Sequence, residues 1–207
     1  MLHLRVHPDN PQPRLIAQAV ERIRQGDIIA YFTDTAYALG CHIGDKNAME
    51  RISRIRRLGH QHQYALLCRD LSDIATYAKV SNSTYRLLKA QTPSLCTFIL
   101  PATSETPRRL MHPKRKTIGI RVPTHPVCQA LLEALGEPML TSTLMLPDHE
   151  FPIDDPEDIV MQLSHQIDVL LDAGIATRGQ TTVVDLSGDV PSLIRQGMGD
   201  VRNVLEL

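Results

Sequence analysis

Residues 15–40, LIAQAVERIRQGDIIAYFTDTAYALG, decide the fold class. Leu15, Ile16, Ala19, Val20 and Ile23 recur at helical spacing, so one apolar stripe runs along residues 15–23. Gly26 stands where a helix can end in the left-handed region at no steric cost. Residues 28–32 form a nearly unbroken apolar run, the pattern of a strand buried on both faces. Residues 33–40 follow as a polar loop that carries two hydroxyls, a carboxylate and a phenol. Helix, glycine, buried strand and polar loop together make one α/β unit.

Outward from this unit the alternation repeats. Asp45 is placed to cap a helix running to about Arg57, with Met49, Ile52 and Ile55 on one face. Residues 64–68 read as a short strand, 70–78 and 81–91 as helices, and 96–100 as a strand. A long basic connection, 101–116, leads to a strand over 117–122 closed by Pro123. A helix over 127–135 ends at Gly136, and 138–143 is a strand. Asp155-Pro156 opens a further helix, with proline at the first position, where its missing N–H costs nothing. Residues 166–171, 182–186 and 191–195 are strands. No repeat, low-complexity tract or linker divides the sequence. The reading is a single α/β domain over 1–207, a mixed β-sheet flanked by helices. The acidic stretch 147–158 is the best candidate for a surface insertion or the edge of a lid.

Composition excludes several classes. The 207 residues carry 22 Lys+Arg against 23 Asp+Glu, a net charge of −1, and 43% are hydrophobic. A disordered chain needs less apolar content and more net charge, and a uniformly basic nucleic-acid binder needs a basic total. No apolar run is long enough to span a membrane, and residues 1–10 lack the apolar segment of a signal peptide. Cys41, Cys68, Cys96 and Cys128 form no CxxC pair and read as reduced, mostly buried thiols of a cytoplasmic protein. The pair His60-x-His62 lacks a third metal ligand. These two histidines, with His7, His112, His125 and His149, read as exposed. Met139 and Met161 read as core filler, and Asp185 as a strand end in a turn. Few aromatic residues and no Trp argue against a base-stacking platform as the main surface.

The neutral total hides segregation. Between Glu50 and Asp70 the only charges are Arg51, Arg54, Arg56, Arg57 and Arg69. Between Glu105 and Glu133 they are Arg108, Arg109, Lys114, Arg115, Lys116 and Arg121. These two acid-free windows hold 11 of the 22 basic residues. If they converge they form a positive cleft that concentrates anions such as a triphosphate or an RNA backbone; taken singly, each reads as a solvated face or loop. Arg54 and Arg56 diverge on a helix, so both reach one ligand only if the helix ends there. In the polar loop, Thr33 and Thr35 would share one face of a continued strand, or else stabilise a turn through local backbone bonds.

Taken together these segments resemble the YrdC/YciO family, the threonylcarbamoyl-adenylate synthase superfamily, and most of all its YciO branch. The resemblance rests on His7-Pro8-Asp9-Asn10-Pro11, on residues 45–52 (DKNAMERI), on Cys68-Arg69-Asp70-Leu71-Ser72, on Arg115-Lys116-Thr117-Ile118-Gly119 and on residues 131–140 (LLEALGEPML). It extends over essentially the whole chain. It implies a twisted sheet with a positively charged concave surface that binds ATP and L-threonine. The family reaction joins threonine, bicarbonate and ATP into threonylcarbamoyl-adenylate and pyrophosphate, for modification of a tRNA adenosine.

By resemblance, Phe32-Thr33-Asp34-Thr35 with Tyr37 corresponds to the family's Pro-Thr-acid-Thr loop, and Thr33, Thr35, Tyr37 and Arg121 are the expected threonine-binding residues. Arg121-Val122-Pro123 matches the RVP strand end. The KxRP motif falls on Arg54-Ile55-Arg56 or, preferably, on Arg56-Arg57-Leu58-Gly59. Residues 141–145 (TSTLM) align with the strand end that contains SxN, 181–185 (TTVVD) with a Thr-Val-Val-Asp strand, and Arg195-Gln196-Gly197 with Arg-x-Gly. Arg54, Arg56, Ser142, Thr143, Thr182 and Arg195 are therefore the expected nucleotide-binding residues, and Thr33, Arg56 and Thr143 the expected catalytic ones. Mg²⁺ would travel with the nucleotide, with no metal ligand from the protein. Arginines would screen the repulsion between a carbamate and the α-phosphate, so catalysis would be positioning plus electrostatics.

The sequence departs from the pattern where Leu58 stands for Arg and Met145 for Asn, and no Gly follows Pro93. A second class of function therefore stands beside the first. In it the protein is a nonenzymatic tRNA or double-stranded RNA binder, with Arg108, Arg109, Lys114, Arg115 and Lys116 as its contacts. The expected assembly is a monomer or weak homodimer.

Overall fold

The computed structural model describes residues 1–59, 62 and 64–205. Along the chain these form β1 (Leu2–Arg5), α1 (Pro13–Arg24), β2 (Ile29–Tyr31), β3 (Ala38–His42), α2 (Lys46–Arg56), β4 (Ala65–Leu67), α3 (Leu71–Tyr77), α4 (Asn82–Gln91), β5 (Cys96–Pro101), β6 (Thr117–Arg121), α5 (Pro126–Leu135), β7 (Met139–Thr143), α6 (Pro156–Leu163), β8 (Val169–Asp172), β9 (Thr182–Asp185), β10 (Ser192–Arg195) and α7 (Arg202–Leu205). All ten strands share one open sheet in the order β1-β8-β2-β3-β7-β4-β6-β5-β9-β10. It is mixed: β2 and β8 pair parallel, for example, while β3 and β7 pair antiparallel.

The expected helices form within a few residues of their bounds. Asp45 caps α2 by accepting from the Ala48 N–H at 2.8 Å. Gly136 ends α5 at φ +78° and Gly26 follows α1 at φ +91°, both in the region where a side chain would strain the backbone. The sequence reading misses β1, β3 and α7. Residues 38–40 were expected in the polar loop and instead open β3. This strand is nearly all small or buried residues and shows no alternation. Gly40 is required there, because a Cβ would stand 2.0 Å from Met139 Cε and 3.2 Å from Leu140 O.

Strand periodicity sorts the sheet into two faces. Ile28, Ala30, Leu39, Leu66, Phe98, Ile118, Ile120, Leu140, Leu170 and Val184 belong to one core, which includes Ile52 of α2, Leu88 of α4 and Ile159 of α6. Ile29, Tyr31, Ala38, Leu67, Met139, Val169 and Leu171 belong to a second core, beneath Ile16, Val20 and Ile23 of α1 and Leu131, Leu132 and Leu135 of α5. These two helices cover the β1 side of the second face. The same alternation places Ala65, Thr97, Ile99, Gly119, Arg121, Thr141 and Val183 farther along it, and there they line a cavity. Half of this face is thus a core and half a basin.

Candidate anion-binding site

The basin has a volume of about 490 Å³, and four arginines line it: Arg56, Arg115, Arg121 and Arg195. Among the described residues its wall contains no carboxylate. Neutral polar groups from Thr97, Thr141, Ser142, Thr143, Gln180 and Thr181 complete it, with Ile99, Val183 and Ile194 as the apolar part. The volume falls within the usual range for small-ligand pockets.

Each arginine is seated by its element. α2 stops at Arg56 because Arg57 turns left-handed at φ +49° and the Leu58 N–H returns to Ser53 O at 2.9 Å. Arg56 then donates to Ser142 Oγ and to Met145 O. Arg195, at the end of β10, donates to Thr181 O at 2.8 and 3.2 Å. All these acceptors are neutral. Burial, with Arg195 nearby, lowers Arg56 to about 10, so it stays protonated at neutral pH. Arg115 pairs with Asp185 at 3.0 Å. Asp185 also accepts from Ser187 N and Oγ, so it is the turn residue expected.

Arg121 is the deepest. It pairs with Asp34 and lies 3.5 and 3.3 Å from the Thr33 and Thr35 hydroxyls. Asp34 is itself held by the Thr124 N–H and hydroxyl, both at 2.8 Å. Among the described residues, the buried Arg121 Nε has no partner. A buried N–H without an acceptor is uncommon and invites a ligand oxygen.

The geometry sorts the other expected residues. Ser142 and Thr143 line the basin. Thr33 and Thr35 lie behind Arg121, where the Thr33 hydroxyl closes a turn onto Ala36 O at 2.5 Å; β2 ends at Tyr31 and does not continue through them. The Tyr37 hydroxyl points to Gly174 O at 2.7 Å, and the phenol's pKa is raised by burial and by Asp172. Thr182 faces away from the basin and anchors the next turn, donating to Gly199 O at 2.7 Å and accepting from Gly197 N–H at 3.0 Å. Arg54 is exposed, with its Nε near Glu50 O.

The two basic windows meet in the basin, but through Arg56, Arg115 and Arg121 alone. Arg51, Arg57 and Arg69 pair with Asp168, Asp148 and Asp73. Arg109 donates to the Ile43 and Gly44 carbonyls. Arg108, Lys114 and Lys116 are exposed.

Some expectations need correction. His62 is not exposed: it lines the basin, with its ring edge-on to Tyr64 at 5.0 Å. Burial and Arg56 lower it to about 4. His60 lies outside the described residues. His125 is half-buried against Phe32 at a ring separation of 4.7 Å. Met161 is 73% exposed rather than core, whereas Met139 is buried. The four cysteines are free and buried. Among the described residues no helix is long and apolar enough to cross a membrane, and no group of three or more His, Cys, Asp or Glu could hold a metal ion. Gln180 and the inward threonines Thr97 and Thr141 were also overlooked. Their signal was a polar residue at alternate positions in otherwise apolar strands.

Three comparisons bear on this site. A Sua5/YciO/YrdC family model, described as telomere recombination, matches residues 21–197. The uncharacterized protein YciO of Escherichia coli K12 is 56% identical over 200 residues, 97% of each chain. Its crystal structure superposes with a TM-score of 0.96 over 99% of this chain and 100% of that one. A threonylcarbamoyl-AMP synthase of Vibrio vulnificus is 28% identical over 185 residues, 88% of this chain and 98% of the relative. Sua5 of P. abyssi, solved with L-threonine, shares the fold at TM-score 0.87 and 23% identity, over 95% of this chain and 58% of that one.

Proposed function

The chain belongs to the Sua5/YciO/YrdC family, and we propose that its basin binds ATP and L-threonine and carries out threonylcarbamoyl-adenylate chemistry, by synthesis from bicarbonate or by the reverse. The observation that carries this reading is the carboxylate-free basin with four arginines, two of which, Arg56 and Arg195, are held only by neutral acceptors. Cations fixed in this way are pre-oriented for phosphate oxygens. The unpartnered Nε of Arg121 suits the amino-acid carboxylate at the far end of the basin. Thr33, Asp34 and Thr35 hold that guanidinium in place and act through it. A wall without carboxylates fits a nucleotide that brings its own Mg²⁺ on its phosphates.

In this arrangement the chain's work is to bring two anions together. Arg56 and Arg195 reduce the repulsion between the carbamate carboxylate and the α-phosphate, and Ser142 fixes Arg56. Met145, where the family motif has Asn, presents a thioether that the Gln180 amide approaches at 3.7 Å. A thioether is a weak acceptor and no donor, so a contact that Asn would make at the transition state is lost in both directions of the reaction, which share that transition state.

The test is pyrophosphate release with ATP, threonine and bicarbonate, together with turnover of threonylcarbamoyl-adenylate. Threonine-dependent turnover in one direction is expected. Its absence in both directions, for a folded protein, overturns the proposal.

A further inference from the structure

His62 lies in the wall of a basin that holds four guanidinium groups and no carboxylate. On its own side stand Arg56 from the end of α2 and the Tyr64 phenol, which is bonded to Ser53. Arg115, Arg121 and Arg195 line the same basin. Arg115 and Arg121 are neutralised by Asp185 and Asp34, whereas Arg56 and Arg195 are not. Among the described residues every unbalanced charge facing the imidazole is therefore positive, and burial, the larger influence, also disfavours a proton on the ring. A bound dianion offsets the two free arginine charges, and as a hydrogen-bond acceptor beside the ring it favours the protonated form.

We propose that His62 is a phosphoryl-binding residue that is neutral in the free protein and takes up a proton when a dianionic phosphoryl group binds. Protonation turns a ring with one donor into one with two, and places a third cation beside Arg56 and Arg195. The basin adjusts its charge to its occupant. A phosphate or pyrophosphate dianion draws in the proton, and a monoanionic carboxylate has less power to do so. The inference rests on the anion-binding reading of the basin and deepens it by naming the ionic form of ligand that the basin favours.

In the free protein burial and Arg56 lower the ring to about 4. A bound dianion cancels the arginine contribution and adds a charge-assisted hydrogen bond while burial persists, so the value should rise by about one pH unit or more. The complex then binds protons more tightly than the free protein, so affinity should be flat well above pH 6 and should tighten about fivefold from about pH 6 to 4.

The experiment is a histidine-ring NMR titration of the full chain with and without sulfate, a dianion that carries no proton over this range. The His62 resonance is identified by its loss in His62→Gln. The expected result is a His62 transition near 4 without sulfate and about one pH unit or more higher with it, while His62→Gln loses the tightening on the acid side. Saturable sulfate binding that depends on Arg56 and Arg195 but leaves the His62 transition unmoved overturns this proposal and leaves the anion site intact. Failure of both sulfate and pyrophosphate to bind overturns both. If His62→Gln does not fold, His62→Asn serves for assignment, and the wild-type titration with sulfate still decides.

Discussion

Arg121 and Asp34 are an ion pair whose side chains are 6% and 7% exposed. Two charges so deep in the protein hold each other charged, and removing one strands the other. Asp34→Asn is therefore expected to cost about 3–5 kcal/mol, read as a lower urea midpoint at unchanged m-value. Replacing both, as Asp34→Leu with Arg121→Met, should recover much of that loss while abolishing threonine binding. A single variant as stable as wild type would show the pair to be solvated. His62 gives stability a dependence on pH. Its folded value near 4 lies below the ordinary 6.5 or so of the unfolded chain, so between these values the unfolded state binds more protons. Stability is whole above about pH 6.5 and falls as the pH drops toward 4, by up to about 3 kcal/mol. Chemical denaturation of His62→Gln across that window should show a shallower slope; an identical slope would place the titrating group elsewhere. Arg56, Arg121, Ser142 and Thr143 were legible in the sequence through their motifs. His62 was not, because polar neighbours at 60, 61 and 63 give it the pattern of an exposed loop. Thr33 and Thr35 were legible as site residues, but not as a layer behind Arg121, because a turn and a continued strand use the same residue types.

Elements bring the basin together through register. β10 ends on Arg195, and its seat on Thr181 exists because residues 197–199 fold closely over β9. Gly197 makes this approach possible: a Cβ there would stand 2.4 Å from Gln180 O and 2.5 Å from Thr181 O. Backbone atoms cannot give way as a flexible side chain can. Gly197→Ala should push the segment off β9, with a cost of about 1–3 kcal/mol. It should also weaken pyrophosphate binding about as much as Arg195→Ala does, as read by calorimetry. A variant that loses stability but binds normally would separate the glycine from the seat of the arginine. β10 itself was legible, since Pro191 and an apolar run bound it. The strands that were missed, β1 and β3, are short. β1 is an edge strand with mostly exposed side chains, and β3 is buried on both faces with a glycine at its centre. β1 alternates apolar and polar residues, but over only four positions, and β3 shows no alternation from which a period can be read. The division of one sheet face into a helix-covered half and a basin was partly legible. The alternating threonines mark the open half, but which half α1 and α5 cover depends on strand order, and strand order is not local.

Over the whole molecule a net charge of −1 coexists with a basin that, among the described residues, has no negative group in its wall. Charge separated in this way gives a small anion a site inside and leaves the exterior near neutral or acidic, which favours a buried ligand over a long polyanion. An RNA duplex cannot enter a space of about 490 Å³, so any RNA contact must use exposed cations. Arg108, Lys114 and Lys116 are exposed, whereas Arg109 and Arg115, although exposed too, are engaged within the fold by a backbone carbonyl and by Asp185. The two functional classes therefore rest on different residues and can be separated by mutation. The triple variant Arg108→Ala, Lys114→Ala, Lys116→Ala removes surface charge and leaves the basin untouched. It should bind ATP and pyrophosphate within about threefold of wild type, since none of the three lines the basin and exposed charges are largely screened by water and salt. Arg56→Ala should weaken the same ligands at least tenfold, because a charge-assisted bond to a buried phosphate is worth about 1.5–3 kcal/mol. Duplex RNA or tRNA binding, measured across a salt series, should respond in the opposite order if it occurs, with a steep salt dependence that the triple variant flattens. Tight, salt-steep RNA binding lost in the triple variant, with no nucleotide binding in wild type, would transfer the function from the basin to the surface.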